Sequence, residues 1–242
     1  MRFHFTFELE NENIEVDYRR KFVSYIKYCI KDNSNELFEE LYGEGKNTNK
    51  DFTISFYFFP DTNINKDTIY VKSKRIIMKV STPDTYIGIQ IYNALCKQKL
   101  VWYKISNNAI RLLKINIEKE KVITQKSVVF NAIAPIIIRD HRKETGKDWF
   151  YTFEDENAVD ILKRNLKNEL KEKFNRNIDY DIEQLQIEFL KMKKVIIKNY
   201  GLKIQCSIGT FKMEGESYLL QCLYQRGIGS KRSLGFGYLE LV

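Results

Sequence analysis

The segment from Gly227 to Gly237 has a composition suited to holding an anion. It reads Gly-Ile-Gly-Ser-Lys-Arg-Ser-Leu-Gly-Phe-Gly, with four glycines in eleven residues and two adjacent cations. Glycine lets the backbone approach a ligand closely, so that backbone N–H groups and neighbouring cations can point at a phosphate. The residues expected to bind such a phosphate are Gly227, Gly229, Lys231, Arg232, Ser233, Gly235 and Gly237.

Two familiar nucleotide-binding motifs do not fit this segment. A dinucleotide-binding turn follows a strand, opens a helix and has an acidic residue downstream. Here only a short terminal strand, ending at Val242, follows the glycines. A phosphate-binding loop of the ATPase type fails for the same reason. The segment is therefore either an anion-binding loop of another kind or a tight turn that leads into an edge strand.

Few side chains could transfer protons near neutral pH. Histidine is the type best suited to this task, and the chain contains two, His4 and His141. His141 lies between Arg139 and Arg142, where the cations could hold a phosphate and Asp140 could orient the ring; a solvated charged loop is the alternative. His4 lies in an alternating segment and faces a ligand surface, the solvent or a packed helix.

The pattern of cysteines and acidic residues indicates neither a metal nor a cofactor. Cys29, Cys96, Cys206 and Cys222 are far apart, and no Cys-x-x-Cys pair occurs. Such spacing predicts buried thiols in a reducing cytosol rather than a zinc site or a disulfide framework. No cluster of aspartates and glutamates recurs at a candidate site, which argues against metal-ion catalysis.

The charge balance favours a polyanionic partner such as nucleic acid. The 242 residues include 40 lysines and arginines against 32 aspartates and glutamates, for a net charge of +8. A basic surface attracts phosphates, and the 15 tyrosines offer faces on which bases could stack. The longest apolar run, residues 132–138, is too short to cross a bilayer. We therefore expect a cytoplasmic protein that is not attached to a membrane.

The hydrophobic pattern predicts a β-α-β-β-α-β unit in the first half of the chain. Phenylalanines alternate with polar residues over residues 3–9, which is typical of a strand with one buried face. After Asp17 the period becomes helical, and Arg19, Arg20 and Lys27 lie on a basic face. The remaining predicted elements are a short helix capped at 34–35, strands over 51–59 and 68–81, a helix from 82, and strands over 100–106 and 109–117.

The second half repeats this order more loosely. Its predicted elements are a strand over 128–138, a helix with apolar positions from 159 to 170, strand regions over 192–209 and 210–213, a short helix over 217–225 and a final strand. The predicted fold class is therefore α+β, with two tandem ferredoxin-like (RRM-like) domains and a C-terminal glycine-rich loop. We place the domains at residues 1–122 and 123–242.

The glycine-rich segment resembles the C-terminal signature of the CRISPR repeat-processing endoribonucleases, the sixth Cas family of the RAMP superfamily. Residues 130–139, Phe-Asn-Ala-Ile-Ala-Pro-Ile-Ile-Ile-Arg, resemble the strand that opens the second domain of that family. The N-terminal strand and residues 52–55 are similar too. The resemblance implies tandem ferredoxin-like domains and metal-free cutting of CRISPR precursor RNA within its repeats. It further implies RNA contacts from the glycine-rich segment; Arg139 and Arg142, beside His141, are expected to bind RNA as well.

The same resemblance points to catalytic residues in the first domain. Many relatives carry a histidine at the end of the short second helix and a lysine in the loop beyond it. Here Tyr42 stands at that position, followed by Lys46 and Lys50. An unperturbed tyrosine titrates near pH 10 and is a poor base, although it can donate a proton. Either Lys27 or Tyr28 matches a catalytic tyrosine of the relatives.

Three alternatives follow from this departure. His141 performs the proton transfer, or Tyr42 works with lysines, or the protein binds RNA without cutting it well. The first hypothesis is an endoribonuclease that cleaves by 2′-hydroxyl attack and yields mature crRNA with a 2′,3′-cyclic phosphate end. The second is a non-cleaving CRISPR RNA-binding subunit of the same fold. Repeat RNA is the expected partner, with other effector-complex subunits as further candidates, and the protein is expected to be a monomer or homodimer.

Overall fold

A computed structural model describes residues 1–45, 50–142, 146–171, 173–174 and 176–242, without the side chains of residues 142 and 147. The first half contains strands β1 (Arg2–Leu9), β2 (Asn13–Glu15), β3 (Thr53–Phe58), β4 (Thr62–Ile64), β5 (Thr68–Val71), β6 (Arg75–Ser81), β7 (Trp102–Ile105) and β8 (Asn108–Glu118). Its helices are α1 (Tyr18–Asn33), α2 (Asn35–Tyr42) and α3 (Thr85–Lys97).

The second half contains strands β9 (Ser127–Ile136), β10 (Ile138–Arg142), β11 (Lys147–Tyr151), β12 (Gln186–Asn199), β13 (Leu202–Glu214) and β14 (Leu239–Leu241). Its helices are α4 (Ala158–Leu170), α5 (Asp179–Gln184) and α6 (Ser217–Arg226). A 3₁₀ turn spans Arg232–Leu234, within the glycine-rich segment.

The two main sheets share one topology. The first has the strand order β3-β6-β1-β8-β7, and the second has the order β12-β13-β9-β14. In each, the first and third long strands of the unit lie side by side at the centre, and helices connect them on one face. This is the ferredoxin-like arrangement, so the predicted fold class is confirmed. The division at residues 122 and 123 stays a prediction.

Apolar and polar side chains alternate along the strands, so that each sheet has one apolar face, and the helices cover that face. Phe3, Phe5 and Phe7 of β1 are fully buried, and the ring of Phe7 meets that of Phe22 on α1 edge to face at 5.2 Å. Successive side chains of a strand point to opposite faces, so the polar residues between the phenylalanines face away from these helices. That outer face is available to the second half of the chain.

Buried Arg2 ties the two halves together. Its guanidinium donates to the carbonyl oxygens of Tyr224 and Leu239, at 3.1–3.3 Å, and forms an ion pair with Glu240 at 2.9 Å. His4 lies on the same face of β1, with its Nε2 atom 2.9 Å from a carboxylate oxygen of Glu118. Burial lowers the pKa of His4. The charge of Glu240, on β14, also affects the pKa of His4, so His4 lies close to the second half.

Two predicted strands are each divided in the structure. The segment predicted over 68–81 forms β5 and β6, separated by a turn in which Lys74 has a φ of 52°. The segment predicted over 192–209 is interrupted at Tyr200 and Gly201, so that β12 and β13 form one long hairpin. The first prediction failed because apolar residues lie on both sides of a short polar turn, residues 72–74, that takes the chain from one sheet to another. The second failed because apolar residues continue on both sides of a two-residue hairpin turn.

Among the described residues, none of the helices combines the length and the apolar character needed to cross a bilayer.

Candidate functional site

The glycines of the C-terminal segment are required by packing within the protein. Gly229 and Gly237 have φ values of 77° and 68°, in the left-handed region. A Cβ atom on Gly229 would lie 2.5 Å from the carbonyl oxygen of Ile137, and one on Gly237 would lie 1.9 Å from that of Ile228. Glycine is the residue that tolerates both the backbone angle and the contact. The glycines therefore shape the loop by meeting protein backbone.

The loop also joins the two halves. Thr53 of β3 donates its hydroxyl hydrogen to the carbonyl of Phe236 at 2.9 Å. Arg19 of α1 donates to the carbonyl of Gly235 at 3.4 Å, and its guanidinium lies 5.3 Å from the centre of the Phe236 ring. The partly exposed residues of the loop are Ser230, Lys231, Ser233 and Leu234. Side-chain contacts to a ligand are thus confined to its middle.

Arg232 lies beneath this exposed stretch. Only 3% of its side chain is exposed, and its guanidinium contacts a carboxylate oxygen of Glu169 at 2.5 Å and the carbonyl of Gly229 at 2.8 Å. Arg226 reaches the same carboxylate oxygen at 3.2 Å and also pairs with Asp51. Burial and the neighbouring Arg226 lower the pKa of Arg232. The expected phosphate contact of Arg232 stays a prediction, but its position gives it a role in holding the loop.

Replacing Arg232 should destabilise the protein. Arg232→Ala leaves the largely buried Glu169 carboxylate, whose side chain is 9% exposed, with fewer partners. Breaking a buried ion pair from one side costs about 3–5 kcal/mol. Urea denaturation should show a loss of that order. The matched control is Lys231→Ala, at the adjacent, partly exposed position, which should leave stability nearly unchanged and weaken RNA binding at low salt. Unchanged stability together with lost RNA affinity in Arg232→Ala would instead favour a phosphate contact.

A basic cluster of the second half lies beside the exposed part of the loop. Asp148 accepts hydrogen bonds from His141 Nδ1 and from Arg139, both at 2.8 Å. Burial lowers the pKa of Lys231, and the nearby Arg139 lowers it further. Arg139, His141 and Ser230 line a depression of about 380 Å³. The structure thus brings three of the predicted residues, Arg139, His141 and Lys231, together; the side chain of Arg142 lies outside the described part of the chain.

A second cluster forms in the first half, between α1 and α2. Lys27 and Lys31 are four residues apart on α1, as are Phe38 and Tyr42 on α2, so each pair lies on one helical face. The ammonium of Lys31 lies 5.2 Å from the centre of the Phe38 ring, and that of Lys27 lies 4.7 Å from the centre of the Tyr42 ring. Ser34, at the junction, accepts a hydrogen bond from the backbone of Leu37 and caps α2.

Lys50 completes this cluster, which we call the lysine–tyrosine cluster (Lys27, Tyr42 and Lys50). Its ammonium lies 4.8 Å from the centre of the Tyr42 ring. Burial lowers the pKa of Lys50, and the like charge of Lys27 lowers it further. Burial raises the pKa of Tyr42, as does the nearby Tyr200. The cluster therefore combines a phenol that keeps its proton with a lysine that loses its proton more easily than usual.

Two other predicted residues lie elsewhere. The ring of Tyr28 packs against that of Tyr103, with 5.2 Å between their centres, whereas Lys27 contacts Tyr42. The structure therefore separates the two candidates between which the sequence could not choose. Lys46 lies outside the described residues. The sequence reasoning missed Tyr200, which approaches Tyr42 from the second half; its only signal was the following Gly201, a turn residue.

Comparison with known proteins adds to this geometry. The family model described as "CRISPR associated protein Cas6, C-terminal" matches residues 118–241. The curated protein "CRISPR-associated endoribonuclease Cas6 1" of Methanocaldococcus jannaschii is 28% identical over 174 residues, which cover 68% of each chain.

Solved structures share the fold along the whole chain. One described as "An RAMP protein binding different RNA substrates" has a TM-score of 0.85 and 22% identity, and the alignment covers 100% of this chain and 99% of that one. Another, described as "Characterization of a Cas6-related gene from Pyrococcus furiosus", has a TM-score of 0.83 and 19% identity, with 100% and 98% covered.

Proposed function

Because the chain belongs to the Cas6 family, we propose that it is an endoribonuclease that cuts CRISPR precursor RNA within its repeats and needs no metal ion. The observation that carries this proposal is the lysine–tyrosine cluster, in which two ammonium groups lie less than 5 Å from the centre of one protonated tyrosine ring. Cleavage at an RNA phosphate needs a base, an acid and a cation. The cluster offers one side chain for each of these roles.

The proposed reaction uses the ribose 2′-hydroxyl as the nucleophile. The 2′-oxygen forms a bond to phosphorus while the bond from phosphorus to the 5′-oxygen breaks. Lys50, as the free amine, accepts the 2′-hydroxyl proton, and Tyr42 gives its phenolic proton to the departing 5′-oxygen. Lys27 stabilises the negative charge on the phosphate. A proton returned from Lys50 to Tyr42 restores the cluster, and the products are a 2′,3′-cyclic phosphate and a 5′-hydroxyl.

The directions of the pKa shifts support this division of roles. A general base must lose its proton near the working pH, and the lowered pKa of Lys50 moves it toward that condition. Tyr42, whose pKa is raised, stays protonated and is therefore suited to donate rather than accept. Lys27 lies on the ring of Tyr42 and supplies a fixed charge. Histidine is thus not required at the position of Tyr42.

The second basic cluster is suited to binding the RNA. Arg139, His141 and Ser230 line one depression, and Lys231 lies close enough to Arg139 for the two charges to interact. Asp148 holds both His141 and Arg139 at the edge of this depression, at 2.8 Å from each. We propose that this cluster binds the RNA backbone and that Ser233 and the backbone of the loop contribute to the binding. Arg142 is included among the proposed RNA-binding residues because it directly follows His141 in the chain.

Incubation with repeat RNA tests the proposal directly. With excess EDTA present, labelled repeat RNA should be cut at one site, and the upstream product should carry a 2′,3′-cyclic phosphate. The mass of the product identifies this end. Phosphatase should remove the phosphate only after acid has opened the cyclic ester. Loss of cutting in EDTA that Mg²⁺ restores would indicate a metal-dependent nuclease instead.

A second candidate function has a specific observation in its favour. The buried phenol of Tyr42 is a weaker acid than usual, which would slow cleavage. A CRISPR RNA-binding subunit of the same fold that does not cut is therefore the alternative. Retention of intact repeat RNA by the purified protein, with no cleavage product after long incubation, would support this alternative.

A further inference from the structure

The hairpin of β12 and β13 extends well beyond its sheet. On β13, Ser207 is the last residue toward the turn that pairs with β9, opposite Ile136. From there to Leu202, β13 continues its pairing with β12 over about 17 Å at the usual rise of a strand, and Ile204 and Cys206 of this stretch are buried in a cluster with Phe236. We call residues 195–206 the hairpin arm. Its tip reaches α1 of the first half, where the ring of Tyr200 lies beside the guanidinium of Arg20.

The residue at the tip is unusual for its conformation. Tyr200 and Gly201 form a two-residue turn with φ values of 50° and 79°. Turns of this kind favour Asn, Asp or Gly at both positions, because a bulky side chain is strained at positive φ. Tyrosine at the first position breaks this preference. Departures from local preference that are kept in a structure tend to lie at functional sites.

The ring of Tyr200 stands over a basic depression next to the lysine–tyrosine cluster. Its side chain is about half exposed, the guanidinium of Arg20 lies 5.8 Å from its centre, and the phenol is close enough to Tyr42 to affect its ionisation. The depression has a volume of about 390 Å³ and is lined by Arg20, Lys21, Val23, Ser24, Lys27 and Tyr200. None of these six lining residues is acidic, and two of the three cations pair with carboxylates beside the depression: Arg20 with Asp17 at 3.4 Å and Lys21 with Glu15 at 3.6 Å.

We infer that Tyr200 is a stacking platform for the base of an unpaired nucleotide next to the cut phosphate. The inference rests on the proposed function and adds a recognition site to it. The depression shares Lys27 with the cluster, so that a strand whose phosphate lies on Lys27 places its next base near the ring at the tip. Arg20 and Lys27 hold the phosphates, and the half-exposed ring offers its face to the base. The site is complete only when the arm of the second half lies against α1.

Two variants of Tyr200 distinguish the contribution of its ring to RNA binding from that of the turn. Tyr200→Asn removes the ring and suits the turn, because Asn tolerates positive φ. Affinity for a repeat RNA made uncleavable by a 2′-deoxy nucleotide should fall by about 5- to 150-fold, the range for loss of one stacked base. Tyr200→Phe keeps the ring and should bind as wild type does. Tyr180→Ala, which removes an exposed tyrosine on α5, is the control and should change nothing.

Abasic nucleotides in the RNA identify the stacked base. With the base removed at successive positions around the cut, wild-type affinity should fall at one position, and Tyr200→Asn should be insensitive to that same change. Equal sensitivity in both proteins, wild-type affinity in Tyr200→Asn, or a loss in Tyr200→Phe as large as in Tyr200→Asn would overturn the inference. These assays measure binding alone. A wild-type protein that binds but does not cut the all-ribose RNA would contradict the proposed function and leave the stacking test valid.

Discussion

Repeat RNA with a single 2′-deoxy nucleotide just upstream of the cut phosphate should bind the protein normally and remain uncut. The reason is that the proposed nucleophile is the 2′-oxygen of that nucleotide, and no neighbouring hydroxyl can reach the same phosphorus in line. Single-turnover assays with excess protein should show no product on a timescale on which the all-ribose RNA is fully cut. Affinity should be unchanged, because one hydroxyl contributes little beside the phosphate contacts.

The matched control moves the 2′-deoxy nucleotide by one position in either direction. Those RNAs should be cut at the rate of the parent RNA, since their nucleophile is intact. Cutting of the first RNA at the parental rate would show that water attacks the phosphorus, and the proposed reaction would then be wrong. Because binding is recorded in the same experiment, a failure of RNA recognition cannot be mistaken for a loss of chemistry.

Lys50→Ala should lower the rate of cutting by about 10²- to 10⁴-fold, the usual contribution of one proton-transfer residue. RNA affinity should change much less, because Lys50 is one cation among many. Lys50→Arg distinguishes a base from a charge: arginine keeps the cation but does not lose its proton in proteins, so that it should be as inactive as Lys50→Ala. Recovery of activity in Lys50→Arg would show that Lys50 acts only as a cation.

The pH dependence of cutting follows from the same assignment. Lysine acts as a base only when neutral, and burial with the neighbouring Lys27 lowers its pKa from 10.5. The rate should therefore rise with pH and level off below pH 10.5, and Lys50→Ala should lack this rise. His141→Ala is the matched comparison in the other cluster, where we expect weaker binding with little loss of chemistry. A larger loss of chemistry in His141→Ala than in Lys50→Ala would move proton transfer to His141.

Local pattern was sufficient for the fold and for the family. Alternation in β1 and helical spacing in α1 depend on residues close together in the chain, so both elements were predicted correctly. The order of the elements then indicated tandem ferredoxin-like units, which the two sheets confirm. The resemblance drawn from the glycine-rich segment is likewise confirmed, because the matched family model includes that segment.

The hairpin arm shows where local pattern was insufficient. Apolar, β-branched residues continue on both sides of Tyr200 and Gly201, and the prediction therefore carried one strand through the turn. The error hid Tyr200, which lies in the second half and affects the pKa of Tyr42. Tyr42 and Tyr200 are about 160 residues apart in the chain, so no local pattern could predict that they lie close together.

The glycine-rich segment also shows that local sequence does not determine which parts of the chain a residue contacts. Its glycines and cations were evident from the chain, and their types predicted an anion-binding loop. Only the tertiary structure decided that Gly229 and Gly237 meet protein backbone and that Arg232 turns inward to Glu169, while Lys231 stays partly exposed. Adjacent residues of a loop differ in burial because partners from distant elements surround them.

By itself, the sequence determined the main helices and most of the main strands of both units, their order, the basic character and the family of this protein, since each depends on residue types and short spacings. The tertiary structure alone decided that Lys27 rather than Tyr28 meets Tyr42, that Lys50 joins them, and that His141 belongs to a different cluster. The physical reason is that these contacts depend on how α1, α2 and the start of β3 pack. Packing is set by the whole core, and no short segment of the chain contains it.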